Sequence, residues 1–549
     1  MFCQNTVTDA PDGDEMYLHE AIAQGLAEHR IQTLFGLMGD GNLFFADSFS
    51  RQVDCRYVPA AHEASAVMMA HGYARASRTI GAVTVTHGPA LTNAITALVD
   101  GALGRVPMLV IAGDTASEDV GNVQNIAQHE FVMPTGAGFE QMRTAETGLH
   151  DLATAIRRSY LESRPIVLNV PANLWWHTID YQFVKSGWLG AQAPQPDPAA
   201  MDEAIGIIAS AHRPLILAGA GARDAGATIA KLGDRIGAPL ATTLKAKDLF
   251  LSHPHNVGVF GTLGDPQCLD AIGDCDCIIA FGAGLNDRTT DHQDLLQGKA
   301  VIQVDRDPTR LGKLSRVTAG VLGDAASVAD MMAGWLDSAD IGGSNFAASQ
   351  LAKGDTRATQ APARQVPSTG SVDIREAMEN IDQIVPADRT LVFDTGRFIV
   401  PAIRHLHAPD PYSFIDTLNF AAIGLGTSAA VGAGIARPER PVLLACGAGG
   451  FMLGGLADFH AAVRHKVDLI MALFNDGAYG AEHIQFTARG MDASHTTHSW
   501  PDFAQVAVAM GGDGITVNSV DDFAAAQKAI ASRTRPLLID IMIDPPGTR

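Results

Sequence analysis

"CGAGGFMLGGLADFHAAVRHKVDLIMALFNDGAYGAEH", residues 446–483, is the stretch on which the fold turns. It reads as the end of an apolar strand, a glycine-rich turn, a helix, a second apolar strand and an Asn-Asp-Gly turn. Neither strand alternates apolar with polar residues, the pattern of parallel strands covered on both faces. A helix between two such strands is the crossover of a βαβ unit. Backbone N–H groups of a glycine-rich turn that opens a helix suit a diphosphate. An amide or carboxylate at the end of the next strand suits a Mg²⁺ bridging its oxygens. Spacing alone leaves a plain βαβ unit with a tight turn equally open.

The same pattern recurs along the chain. Continuous apolar runs bounded by Gly, Asp or Pro occur at 33–38, 82–87, 107–113, 165–171, 214–221, 277–284, 300–305, 390–396, 441–450, 468–476 and 536–544. Helical stretches connect them, so the class is α/β with parallel sheets. Two polar or Gly/Pro-rich segments, 185–200 and 342–370, read as linkers and divide the chain into three blocks.

The chain has 549 residues, 47% hydrophobic and 18% charged, enough for several large cores. A formal charge of −21 argues against nucleic-acid and anionic-membrane partners. The cysteines, 3, 55, 268, 275, 277 and 446, form no C-x-x-C, and Cys275 and Cys277 read as packing residues. The N-terminus is polar and acidic, unlike a signal peptide, and no apolar run approaches bilayer length. A cytoplasmic protein is the expectation. "GAGARDAG", 219–226, follows a strand but departs from the dinucleotide fingerprint, and reads as a glycine-eased strand–helix corner.

"PAAHEASAVMMAHGYAR", 59–75, places Glu63 at the head of an uncharged run. A helix apolar on nearly all sides is a buried one. A glutamate there is either a first-turn acid suited to the helix dipole, or a buried carboxyl with a task.

Taken together, several segments resemble the thiamine-diphosphate enzymes of the acetolactate synthase, pyruvate decarboxylase and benzoylformate decarboxylase superfamily. They are "GLMGDGNLFFADSF" (36–49), "HEASAVMMAHGYARAS" (62–77), "VTVTHGPALTNAITALVDGALGRVPMLVIAGD" (83–114), "RPLILAGAGARDAGATIAKLGDRIGAPLATTLKAKDLF" (213–250), "VIQVDRDPTRLGK" (301–313) and "DTLNFAAIGLGTSAAVGAGIARPERPVLLACGAGGF" (416–451). The resemblance implies three doubly wound parallel-sheet domains: pyrimidine-binding (1–185), central (198–340) and diphosphate-binding (371–549). It implies a homodimer or homotetramer with active sites between subunits. The substrate would be a 2-oxo acid or α-hydroxyketone, decarboxylated or joined to a second carbonyl through an enamine. FAD in the central domain, as in some synthases, has no support among these residues.

Carried over residue by residue, the resemblance makes Glu63 the carboxyl that hydrogen-bonds the aminopyrimidine. A carboxyl in apolar surroundings readily shares a proton with a ring nitrogen. Ile423 becomes the apolar wedge that bends the cofactor, and the Ala421 carbonyl the acceptor for its amino group. Asp40, in "MGDGNL", matches a proton relay; Gln124 matches a glutamine near the reacting centre; His87 replaces a serine and faces the substrate. Gly396, Arg397, Gly447, Ala448, Gly449, Gly450, Asp476, Ala478 and Tyr479 fall at cofactor-contact positions.

One departure matters. The family writes Gly-Asp-Gly where this chain has Gly447-Ala448-Gly449, and that aspartate is a direct Mg²⁺ ligand. The second ligand lies 27 positions on, which selects Asn475; matching "NDGAYG" to the family's turn selects Asp476, with the Ala478 carbonyl as third ligand. An extra glycine in "MLGGLADF" would explain the one-residue difference, and an acid at Asp476 would restore the charge lost at Ala448. Three readings stay open: a variant with weakened metal binding, a site that keeps Mg²⁺ through Asp476, and a non-catalytic relative.

Overall fold

The computed structural model describes residues 15–116, 118–119, 121–187, 193–357 and 367–544. The acidic N-terminus with Cys3, and the last five residues, lie outside them. The described chain builds three six-stranded sheets, every strand pair parallel. The first runs, in spatial order, Arg56–Pro59, Thr33–Gly36, Gly81–Val85, Met108–Asp114, Pro165–Pro171 and Gly138–Gln141. The second runs Asn256–Val259, Leu240–Thr242, Pro214–Ala218, Cys277–Phe281, Ala300–Asp305 and Ala319–Leu322. The third runs Phe414–Asp416, Thr390–Phe393, Val442–Gly447, Leu469–Asn475, Leu537–Met542 and Asp513–Val517. Helices cover the faces, as parallel sheets require. One small antiparallel pair, Glu15–Tyr17 with Thr178–Asp180, departs from the all-parallel expectation.

In the third sheet Gly447 pairs with Phe474, so the glycine turn and the Asn-Asp-Gly turn emerge side by side at the carboxyl edge. That edge is where open α/β sheets bind ligands.

In the helix Glu63–Ser77 the run between Glu63 and Arg75 is uncharged because it is buried between the first and third sheets, against the helix Gly426–Ala436. A Cβ on Gly72 would land on the Ala429 carbonyl, and one on Gly432 on the Met69 carbonyl, so the two backbones touch. The corner at 219–226 has a similar cause: a Cβ on Gly219 would strike the Gly282 carbonyl at the end of the adjacent strand. Cys275 and Cys277 pack in the cores of the second block, as expected.

The segment 342–370 is not a helix-poor linker throughout: Phe346–Arg357 is a helix. Phe346, Ala347 and Gln350 are buried, and Gln350 Nε2 and Lys353 Nζ donate to Asp274 at 2.8 and 2.6 Å. Few apolar residues suffice there because the anchor is polar. Of 185–200, residues 188–192 lie outside the description, and a helix starts at Pro198, capped by Asp197.

Candidate active site

The candidate residues fall into two groups, each at the carboxyl edge of a sheet. The first group hangs on the loops after Gly36, Val85 and Asp114. Gly41 N donates to Thr86 Oγ1 at 2.9 Å, and Trp175 Nε1 donates to the Gly41 carbonyl at 2.7 Å. Gly41 has no room for a side chain, since a Cβ would lie 2.6 Å from His87 Nδ1. Exposed Asp40 is thereby held beside buried His87. Burial pushes the imidazole below its ordinary pKa, against the pull of Asp114, Asp40 and Asp119, which favours neutral His87 at pH 7.

Glu63 is the first residue of its helix and is buried, while His62 before it is exposed and caps the Ala64 N–H. The first-turn and buried-carboxyl readings therefore describe one residue. Asn93 Nδ2 donates to Glu63 Oε2 at 3.0 Å. Asn93 ends the short helix Pro89–Asn93 that follows the His87–Gly88 turn, so Glu63 is tied to the same loop cluster.

Gln124 enters this group through its backbone: a Cβ on Gly88, whose φ is +62°, would strike the Gln124 carbonyl. The buried glutamine is Gln128, which sequence reasoning missed. Gly88 N donates to Gln128 Oε1 at 2.8 Å, and Gln128 Nε2 donates to the Gly113 carbonyl at 2.9 Å and Asn169 Oδ1 at 2.5 Å. A cavity of ≈ 310 Å³ opens there, lined in part by Asp114, Gln128, Gln141 and Asn169. The signal was "NVQNIAQHEF", 122–131: of its two glutamines, only burial tells which is anchored.

The second group lies at the edge of the third sheet. Gly447 is extended, and helical backbone begins at Ala448 with no side-chain cap and no acid in its first turn. No side chain caps the N–H groups of this buried turn, which leaves them and the dipole suited to an anionic ligand. Tyr479 lies across the turn: a Cβ on Gly449 would meet its ring at 2.6 Å. The Tyr479 ring is edge-on to His498, which stacks on Trp500.

Ile423 is half-buried in a strained loop: Ala421 is left-handed at φ +60° and Gly424 at +85°. Asp394, missed in the sequence, holds this loop. It is 1% exposed, accepts N–H bonds from Thr395 at 2.8 Å and Gly424 at 3.0 Å, and lies within reach of Gly450. Burial pushes its carboxyl up to about 6, against those backbone donors. Gly396 follows it in the same loop, and the Phe398 ring meets Gly447.

The two metal registers are distinguishable. Phe451–Gly455 is π-helical, and a π-turn accommodates one residue more than an α-turn. This π-turn lies between the glycine turn and the next strand, where one extra residue would account for the difference between the two registers. The Asn475 amide is also engaged: Nδ2 donates to Asp540 at 3.1 Å and Oδ1 accepts from Gly477 N at 3.2 Å. Asp476 Oδ1 accepts from Ala478 N at 3.1 Å, and Oδ2 lies 3.1 Å from Arg397 Nε.

The free N–H groups and the adjacent apolar Ile423 loop fit a diphosphate cofactor. The donors fit a divalent cation poorly. Ala448 offers a buried methyl, Asn475 is engaged, and the one carboxylate is already paired with a guanidinium. No hydrogen bond among the described residues joins Glu63, Asp40, His87 or Gln124 to the second group.

Comparison with known proteins bears on both groups. Family models match residues 16–135 (thiamine pyrophosphate enzyme, N-terminal TPP binding domain), 201–332 (central domain) and 394–541 (C-terminal TPP binding domain), together well over half of the chain. The chain is 27% identical to a sulfoacetaldehyde acetyltransferase of Alcaligenes xylosoxydans, covering 94% of this chain and 90% of that one. It is 28% identical to a putative acetolactate synthase large subunit of Mycobacterium tuberculosis, covering 90% and 92%. A putative thiamine pyrophosphate-containing protein of Bacillus subtilis is 25% identical over 96% and 92%.

Proposed function

From the premise that this chain belongs to the thiamine pyrophosphate enzyme family, we propose that it makes or breaks a carbon–carbon bond next to a carbonyl. The substrate would be a 2-oxo acid or an α-hydroxyketone, by decarboxylation or by carboligation. The bound thiamine diphosphate supplies an electron-rich carbon that adds to carbonyls and stabilises the charge left behind. The remaining work belongs to the chain. Glu63, braced by Asn93, holds a proton at its carboxyl against the aminopyrimidine ring. Gly447, Ala448, Gly449 and Gly450 bind the diphosphate through backbone N–H groups. Ile423 and the Ala421 carbonyl orient the ring, and Gly396, Ala478 and Tyr479 shape the pocket. Neutral His87, Asp40 and the Gln124 loop receive the substrate and move its protons.

The domains in this reading are 1–185, 198–340 and 371–549. With the Glu63 group and the glycine turn on separate sheets, we assign the complete site to two copies of the chain, in a dimer or tetramer. Among the described residues no helix is long and apolar enough to cross a membrane.

The observation that carries the reading is the buried Glu63 carboxyl, held by exposed Asn93 beside the loop cluster of Asp40, His87 and Gln128. The test combines equilibrium binding of thiamine diphosphate with product analysis on a panel of 2-oxo acids, α-hydroxyketones and sulfoacetaldehyde. Cofactor-dependent CO₂ release or C–C bond formation supports it. Cofactor binding with no turnover of any member contradicts it.

A further inference from the structure

The diphosphate edge carries a cation of its own. Arg397 leaves the strand Thr390–Phe393 beside the glycine turn, and its neighbour Phe398 packs its ring on Gly447. Its Nε lies 3.1 Å from Asp476 Oδ2, close enough for an ion pair but poorly aligned for a hydrogen bond. Its Nη2 donates to the Asp544 carbonyl at 2.9 Å. Gly480 is a glycine because of this pair: a Cβ there would strike Asp476 Oδ2 and lie 2.9 Å from Arg397 Cδ. Both side chains are largely buried, with relative exposures of 21% for Arg397 and 8% for Asp476.

A metal ion at this edge normally joins the two turns and neutralises the diphosphate. Here the Tyr479 ring, just after the Asn-Asp-Gly turn, lies on Gly449 and spans the two turns. A hard dication would meet one carboxylate, shared with a guanidinium, and the Ala478 carbonyl, where Mg²⁺ wants near-ideal octahedral oxygens. A guanidinium matches phosphate geometry, stays charged at every working pH and is more weakly hydrated than an ammonium.

We propose that Arg397 takes the place of the divalent cation, so that this chain holds thiamine diphosphate without magnesium. This rests on the reading of the edge as a thiamine diphosphate site. Arg397 and the N–H groups of the 447–450 turn supply the positive field, Asp476 fixes the guanidinium, and Ala448 fits because no metal needs a ligand there.

The test is calorimetric titration of the full-length chain with thiamine diphosphate, in excess EDTA and then in millimolar Mg²⁺. The dissociation constant is expected to agree within about threefold between the two. Arg397→Met should weaken EDTA binding by at least tenfold, since a charge-assisted bond contributes ~1.5–3 kcal/mol. Arg397→Lys should recover part of it. Ala448→Asp should gain a Mg²⁺ dependence that the parent lacks. Circular dichroism confirms that each variant is folded. Binding by the parent only with Mg²⁺, or Arg397→Met equal to the parent in EDTA, overturns the proposal and leaves the cofactor site standing. No binding under either condition overturns both.

Discussion

Asn93 holds Glu63: its side-chain amide donates to Glu63 Oε2 at 3.0 Å, across 30 residues of sequence. The bond orients the carboxylate from one side and links it to the His87–Gly88 turn. Asn93→Ala should therefore lower the turnover number roughly tenfold, the equivalent of one hydrogen bond to a charged group, with little change in substrate KM. Steady-state kinetics at saturating cofactor checks this. A change confined to KM would assign Asn93 to substrate binding instead.

Gln128 and Gln124 should separate cleanly. Gln128→Ala leaves the Gly88 N–H and the Gly113 carbonyl without their partner in a buried site, which costs about 1–3 kcal/mol. Its denaturant midpoint should fall. Gln124→Ala, at a half-exposed position that meets Gly88 through its backbone, should keep the parent's midpoint. Urea unfolding of the two variants side by side decides it.

Gly432→Ala should be among the most damaging small substitutions in the chain. Its new Cβ would land on the Met69 carbonyl, and neither helix can retreat without opening the core between the first and third sheets. Overpacking of this kind costs about 1–3 kcal/mol or more. Loss of soluble protein or a clear drop in melting temperature is the expected result; Gly334→Ala, on an open helix surface, is the neutral control.

Three buried carboxyls should each cost stability as pH rises from about 4 to about 6, against the opposite contribution of histidines that burial holds below their ordinary pKa, His19 and His87 among them. Burial pushes Asp394, Asp458 and Asp540 up to about 6, against an ordinary carboxylate near 4. Between those values each of the three is more protonated in the folded chain than in the unfolded one, so at these groups a rise in pH costs stability. Asp458 is the clearest case. It is fully buried, takes a hydrogen bond from Ser65 at 3.0 Å and another from Ser428, and has a second oxygen with no partner. Melting temperature measured from pH 4.5 to 7.5 should show the Asp458 contribution as a difference: relative to its own value at pH 4.5, Asp458→Asn should lose less, or gain more, than the parent as pH rises through about 6.

The interior of each sheet was legible in the sequence; the edges were not. Strands such as Pro165–Pro171 and Ala300–Asp305 are flanked on both sides, so their residues are mostly apolar, Asn169, Gln303 and Asp305 being the polar ones. All six sheet edges, among them Arg56–Pro59, Gly138–Gln141 and Asp513–Val517, escaped notice. An edge strand has one neighbour and tolerates charge, so its sequence carries a weaker pattern. Leu240–Thr242 escaped for its length of three residues. The site behaved similarly. Glu63, His87 and the glycine turn stand in contexts that announce them. Asp394, Asn93, Gln128 and the Arg397–Asp476 pair depend on which side chains meet across tens of residues, and spacing does not encode that. The one-residue choice between Asn475 and Asp476 was visible as a count, whereas the π-turn at Phe451–Gly455 that lies before it is a property of the folded helix.

The central proposal is that the Glu63 carboxyl would hold and pass a proton at the aminopyrimidine ring of bound thiamine diphosphate, and would so speed loss of the proton at C2 of the cofactor's thiazolium ring. It is tested most directly by the rate at which that proton exchanges for deuterium in the bound cofactor, followed by NMR after rapid acid quench. Glu63→Gln should bind thiamine diphosphate yet exchange it at least ~100-fold more slowly than the parent, the scale of general acid–base catalysis. Equal exchange rates in the two proteins, at full cofactor occupancy, would contradict the account.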